Sequence, residues 1–383
     1  MSSQTLENVA SHQAHVYKSD RLYSLDALRG FDMFWIMGAA TLIWEWQKIH
    51  PDNTLLTFLR DQTAHAEWHG FTFFDLIFPL FLFISGVAAP YSLGKKLEKG
   101  VAKNKLLVTV IKRSLLLVLL GIVYNNGLAI KPIEEYRFAS VLGRIGIGYM
   151  FACIIYLYAN KTYQIIWCAG ILIAYWLLLK FTSAPGYAAG DLTMEGNFAS
   201  YMDKTFMPGY LYLGVHDPEG FFSSIPAIST GLFGILTGDY LKNNIKDPKP
   251  QKALLMLIAG ILLILIAQIW NLDFPVNKNL WSSPFACQAA GISLLFFSLF
   301  YYIIDVMGFQ KWAFFFKVIG MNSIFIYMSG IIINWDHATR GLFGWFISIF
   351  KEPTSFVIGA ACIILVKWLA LYYMYKKKIF IKV

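Results

Sequence analysis

Runs of about 20 apolar residues, parted by short polar connections, recur along the whole of this 383-residue sequence, and they restrict its fold more than any other feature does. Crossing ~30 Å of hydrocarbon takes about 20 apolar residues in helical form, because a helix satisfies its own backbone hydrogen bonds where no water can. With 57% hydrophobic and only 14% charged residues, the chain is excluded from the soluble globular class. The reading is all-α: a polytopic integral membrane helical bundle of about ten transmembrane helices. They lie near 24–46, 70–93, 106–127, 139–159, 163–181, 222–241, 253–270, 284–304, 313–333 and 354–375, the ninth being the least sharply marked. Residues 1–20 are polar, with neither a basic leader region nor a small-residue cleavage site, so they read as a cytoplasmic tail rather than a secretory signal. One membrane domain, 21–383, follows.

Lysines set the expected orientation, because basic residues collect in cytoplasmic loops. Lys95, Lys96, Lys99, Lys103 and Lys105 form one group, Lys242, Lys246, Lys249 and Lys252 a second, and Lys376, Lys377 and Lys378 a third. The alternate connections carry Asp191, Glu195, Asp203, Asp217 and Glu219, the longest running from about 182 to 221. Both termini are therefore expected to be cytoplasmic. The net charge of +9 reads as topology and attraction to anionic lipid, not as nucleic-acid binding. Cys153, Cys168, Cys287 and Cys362 all fall inside apolar spans without CxxC or Cys/His pairing, and read as packing residues.

Ionisable groups in or beside membrane spans are costly, so each is a functional suspect. The segment 65–79, HAEWHGFTFFDLIFP, sets two histidines and a glutamate directly before an apolar run. Histidine is the side chain whose ordinary pKa lies nearest neutrality, which makes His65 a candidate proton acceptor. His65 and His69 would share a face of a continuous helix, but Ala66 stands where zinc proteases need glutamate and no third ligand has suitable spacing, so no metal is expected. Asp75, ten residues on, would lie ~15 Å from His65 along such a helix and would order neighbouring helices or water instead of touching the imidazole. Gly70 and Pro79 make a break conceivable without requiring one. Asp26, Arg29 and Asp32, spaced at i, i+3 and i+6, read equally as a structural ion pair or a functional group. Lys112, Arg113 and Arg144, placed toward the cytoplasmic ends of their spans, suit anion binding or snorkelling.

Seven stretches carry a resemblance in order: RLYSLDALRG at 21–30, HAEWHGFTFFDLIFPLFLFISG at 65–86, RFASVLGRIGIGY at 137–149, HDPEG at 216–220, PVNKNLWS at 275–282, GMNSIFIY at 320–327 and the terminal YKKKIFIKV. Together the chain resembles the heparan-α-glucosaminide N-acetyltransferase family. The resemblance implies a polytopic acetyltransferase that takes acetyl from cytoplasmic acetyl-CoA and delivers it to an amino sugar on the other side, in a reduced, bacterial-style form placed in an inner membrane and capable of forming a homodimer. Family motif H-A-x-W-x-G maps onto His65, Ala66, Trp68 and Gly70, which makes His65 the active histidine, acting as base or as acetyl carrier. Asp75 joins it in the expected catalytic set.

For acetyl-CoA, a polyanion with a thin uncharged arm, the expected partners are Arg29, Arg113 and Arg144 at the mouth and Asn322 and Ser323 along the path. Trp68, Asp217, Glu219, Asn277, Asn279 and Trp281 are expected on the sugar side, where carboxylates and amides bind hydroxyls and indoles cover sugar faces. Ala40 stands where animal members carry asparagine, with Asp32, Glu45 and Asn322 as conceivable substitutes. Some bacterial relatives are described as transporters, so a carrier of N-acetylglucosamine or a related sugar is the rival reading, and a membrane scaffold with a structural His65 is a third.

Overall fold

A computed structural model describes residues 22–381; the N-terminal tail of residues 1–20 lies outside the described residues. The first half comprises α1 Tyr23–Phe34, α2 Ala40–Ile49, α3 Thr54–Gln62, α4 Ile77–Ala89, α5 Lys95–Glu98, α6 Lys103–Asn126, α7 Val141–Tyr158 and α8 Lys161–Phe181. The second comprises α9 Phe198–Phe206, α10 Ala227–Asn243, α11 Lys249–Trp270, α12 Ser283–Tyr301, α13 Phe314–Gly320, α14 Ser323–Ile332, α15 Trp335–Ile347 and α16 Thr354–Lys376. Among the described residues there is no strand; one isolated bridge joins Arg137 to Gly209.

Seven helical rods are long and apolar enough to cross a membrane, and eight if the bent pair α13–α14 counts as one span. The chain is an integral membrane protein. Of the ten segments read from sequence, 24–46 and 222–241 are not among these eight. The first is broken: α1 gives way to a wide turn at Trp35–Ala39, where Gly38 adopts φ 151°, before α2 resumes. The second is α10, only 17 residues long. The indistinct ninth segment has a physical explanation, since its two halves meet at 65° around Met321–Asn322.

Helix α10 sits between α4, α7 and α8, and its glycines let it do so. A Cβ on Gly234 would collide with the carbonyl of Phe83, and one on Gly86 with the carbonyl of Gly231, so the two backbones touch directly. Helices α1 and α13 make a second such crossing, Gly30 against the Phe316 carbonyl and Gly320 against that of Asp26. Here the RG and GMN stretches of the sequence meet. In contrast α6, α8, α11 and α16 turn most of their apolar surface outward, as lipid-facing helices do. The connection 182–221 folds into a cap containing α9 at one end of the bundle, where Asn197 anchors the start of α9 by accepting from Ser200 N at 2.8 Å.

Candidate active site

His65 does not lie on a helix. Residues 64–72 form an irregular loop between α3 and the turn Phe73–Leu76 that leads into α4, with Gly70 at φ 120°, a conformation L side chains rarely adopt. The continuous helix expected through His65 and His69 is therefore corrected, and with it the separation of His65 from Asp75. Folding back at Gly70, the loop brings His65 Nδ1 to 2.7 Å from Asp75 Oδ1. The other carboxylate oxygen accepts Thr72 N at 3.0 Å and Ala66 N at 3.3 Å, and the Thr72 hydroxyl closes the loop onto the Ala64 carbonyl at 2.5 Å. Asp75, fully buried, thus closes a capping box on the turn Phe73–Leu76 that leads into α4 and holds the histidine with one side chain.

Lys278 Nζ approaches the same imidazole nitrogen at 3.1 Å and stands 3.9 Å from Asp75 Oδ1. Nδ1 cannot accept from lysine and donate to aspartate together. A bare Nδ1 facing a carboxylate at 2.7 Å would set lone pair against lone pair, so the proton sits on Nδ1 and donates to Asp75. Nε2 is left with its lone pair on a side chain that is 39% exposed. This is the tautomer a general base or a nucleophilic imidazole requires. Burial lowers the pKa of the Lys278 ammonium. Sequence reasoning missed Lys278 although PVNKNLWS contains it; a lysine in a loop carries no signal until the fold places it beside His65.

The remaining expected sugar-side residues divide. Trp68 is half-buried, its indole donates to the Leu192 carbonyl at 2.9 Å, and its ring meets His216 edge-on at 5.1 Å. Asp217 and Glu219 are gathered by Arg137, which donates to Asp217 at 2.8 and 2.7 Å and to Glu219 at 2.5 Å, with the Tyr212 ring beneath the guanidinium at 4.5 Å. Burial pushes the Asp217 carboxyl up, but the Arg137 hydrogen bonds outweigh it and hold that carboxyl below its usual range. Asn277, Asn279 and Trp281 brace their own loop. Asn277 accepts from Leu280 N at 2.9 Å and approaches His69 Nδ1 at 3.3 Å, Asn279 donates to the Glu67 carbonyl at 3.4 Å, and the Trp281 indole donates to Thr230 at 3.2 Å. The 275–282 loop thereby carries Lys278 to its place.

Expected donor-side residues separate too. Arg29, Arg113 and Ser323 line one cavity of about 520 Å³ together with Lys95, Tyr91 and Tyr149, at the end of the bundle where Leu22 and Ile381 lie. Arg144 is not there. It lies near the start of α7, hydrogen-bonded to Ser223 and stacked over Trp281 at 4.8 Å, so it braces the cap at the opposite end. Asn322 holds the C-terminal segment, donating to the Ile379 carbonyl at 3.0 Å and accepting from Ile381 N at 2.9 Å. Glu45 pairs with Lys48 at 2.7 Å. Asp32, by contrast, is fully buried.

A single helical stripe joins the two ends. Phe74 packs against the His65 ring at 5.0 Å, Phe78 faces Lys278 at 5.9 Å, and Phe81, Ser85, Ala88, Ser92 and Lys95 follow at helical spacing along the rod Phe73–Glu98 into the cationic cavity. Phe74 to Lys95 spans about 32 Å at 1.5 Å per residue, roughly the hydrocarbon thickness.

The chain is similar to heparan-alpha-glucosaminide N-acetyltransferase. It is 26% identical to the Mus musculus protein over 372 residues, 83% of this chain and 56% of that one, and 26% identical to the Homo sapiens protein over 376 residues, 83% and 55%. The chain thus spans about half the length of these relatives. A family described as "Domain of unknown function (DUF5009)" matches residues 21–188, which include His65, Asp75 and the whole stripe.

Proposed function

We propose that this protein is a transmembrane acetyltransferase that moves acetyl from cytoplasmic acetyl-CoA to the amine of an extracytoplasmic amino sugar of the glucosamine type. The observation that carries the reading is the His65–Asp75 pair, with Nε2 open, at one end of a membrane-length stripe whose other end borders a cavity lined by Arg29, Lys95 and Arg113. A cation-lined mouth suits a nucleotide polyanion, and the apolar stripe suits an uncharged arm. The names of the relatives support the acetyl chemistry.

In this reading His65 Nε2 takes the proton from the attacking amine as the nitrogen–carbonyl bond forms and the carbon–sulfur bond breaks, the thiolate leaving toward the cationic end. Equally, Nε2 attacks the thioester first and the amine then displaces the acetyl group from the imidazole. Asp75 serves both routes by holding the Nδ1 proton and balancing the imidazolium charge. The lysine groups at the Lys95 end support a cytoplasmic assignment of that end and of both termini in this reading, with α1–α2 and α10 counted toward ten spans in a bacterial inner membrane.

Purified protein in liposomes, given labelled acetyl-CoA on one side and glucosamine on the other, tests this. Acetylated product that disappears with His65→Ala is expected. Unmodified sugar crossing without acetyl transfer would replace the enzyme with a carrier.

A further inference from the structure

We propose that Asp32 is the positioning residue for the donor arm, accepting a hydrogen bond from an amide N–H of the pantetheine chain; this rests on the thioester-donor reading above. Asp32 is 0% exposed and neither of its carboxylate oxygens has a hydrogen-bond partner among the described residues. Arg29, one turn earlier on α1, lies 3.6 Å from Asp26 and reaches Asp32 through charge without a hydrogen bond. A carboxyl group buried among apolar side chains without a partner opposes folding, so such a group is retained where a ligand supplies the missing donor.

The surroundings define that ligand. Asp32 lines a narrow space of about 20 Å³ with Phe78, Phe81, Ser323, Ile324 and Tyr327. Phe81, Ser323 and Ile324 also line the cationic cavity, and Phe78 reaches the Lys278 ammonium beside His65. Asp32 therefore stands between the donor mouth and Phe78, whose ring faces the Lys278 ammonium beside His65. A thin chain threading this route must displace the Phe81 and Ile324 side chains. The pantetheine arm is thin, otherwise uncharged, and carries two secondary amides whose N–H groups need acceptors once dehydrated.

The test measures binding of two probes to the purified full chain: acetyl-CoA, and adenosine 3′,5′-bisphosphate, which lacks the arm. Asp32→Ala is expected to weaken acetyl-CoA by about 10-fold, a hydrogen bond's worth, and to leave the bisphosphate unchanged. Asp32→Asn, whose amide oxygen still accepts, is expected to recover most of the affinity. Unchanged acetyl-CoA affinity in Asp32→Ala, or equal loss for both probes, overturns the assignment while leaving the acetyltransferase reading intact. Wild-type protein that binds neither probe removes the donor reading and Asp32's role with it. If neither variant folds, infrared difference spectra of wild-type protein decide: a carboxyl band that shifts with acetyl-CoA and not with the bisphosphate is expected, and matching spectra for the two probes refute the proposal.

Discussion

At the scale of single residues, the site depends on which nitrogen of His65 carries its proton, and Asp75 decides that. Asp75→Asn keeps the shape but can present its amide N–H to Nδ1, which moves the imidazole proton to Nε2 and removes the base. Acetyl transfer is expected to fall by 10²–10⁴-fold, the usual scale for a lost acid–base partner, with expression and oligomeric state unchanged; steady-state kinetics beside size-exclusion profiles check it. His216 makes a separate prediction. Burial holds its pKa down at about 4 from an ordinary 6.5, while its Nδ1 pairs with Ser200 Oγ at 2.7 Å. The unfolded chain takes up this proton before the folded one does, so the contribution is complete above pH 6.5 and is lost as pH falls toward 4, up to about 3 kcal/mol. Asp203, raised by burial to about 6 from 3.8, acts oppositely, since its unfolded form loses the proton first and stability falls as pH rises from about 4 to 6. The two partly cancel in wild type. A His216→Gln variant removes one of them, so its melting temperature should drop less than wild type's between pH 6.5 and 4.5; parallel curves would show that His216 is not the group titrating.

At the scale of elements, two devices carry the design: a loop folded back at Gly70 and helices pressed together through glycine. Gly70 lies in left-handed backbone, with only the Ala66 side chain near its missing Cβ, so Gly70→Val strains the loop rather than colliding with a neighbour. It should lower activity through misplacement of His65 while the bundle melts within a few degrees of wild type. Gly234→Val is different, because the added carbons meet the Phe83 carbonyl. Destabilisation of about 1–3 kcal/mol or more is expected, seen as a fall in detergent melting temperature before any change in substrate affinity. The sequence revealed the helices themselves by their apolar length. It did not reveal that residues 64–72 leave the helix, because HAEWHGF carries no turn signal beyond one glycine, and the pairing that stabilises the loop comes from Asp75 on the far side of the bend.

At the scale of the whole molecule, the proposal is a matter of sides. The described ends of the chain, Leu22 and Ile381, border the same cavity as Lys95, at the opposite end of the stripe from His65. All four cysteines are buried and unpaired, which gives a quiet background for labelling. In inverted and right-side-out vesicles, Lys99→Cys should react with a membrane-impermeant maleimide only from the cytoplasmic side, and Glu67→Cys only from the other. Labelling of both from one side would abolish the cross-membrane reaction, whatever the chemistry at His65.

The sequence by itself determined that this chain lives in a membrane and that helices fill it, because hydrocarbon thickness is imposed locally, whereas the choice of His65 came from the motif that carries the family resemblance. Only the tertiary structure decided the partners. Asp75 reaches His65 through a bend, Lys278 arrives from a loop more than 200 residues away, Arg137 engages the acids of HDPEG, and Arg144 belongs to the cap instead of the donor mouth. Such pairings follow from close approach in space, and residues distant in sequence acquire it only when the helices pack.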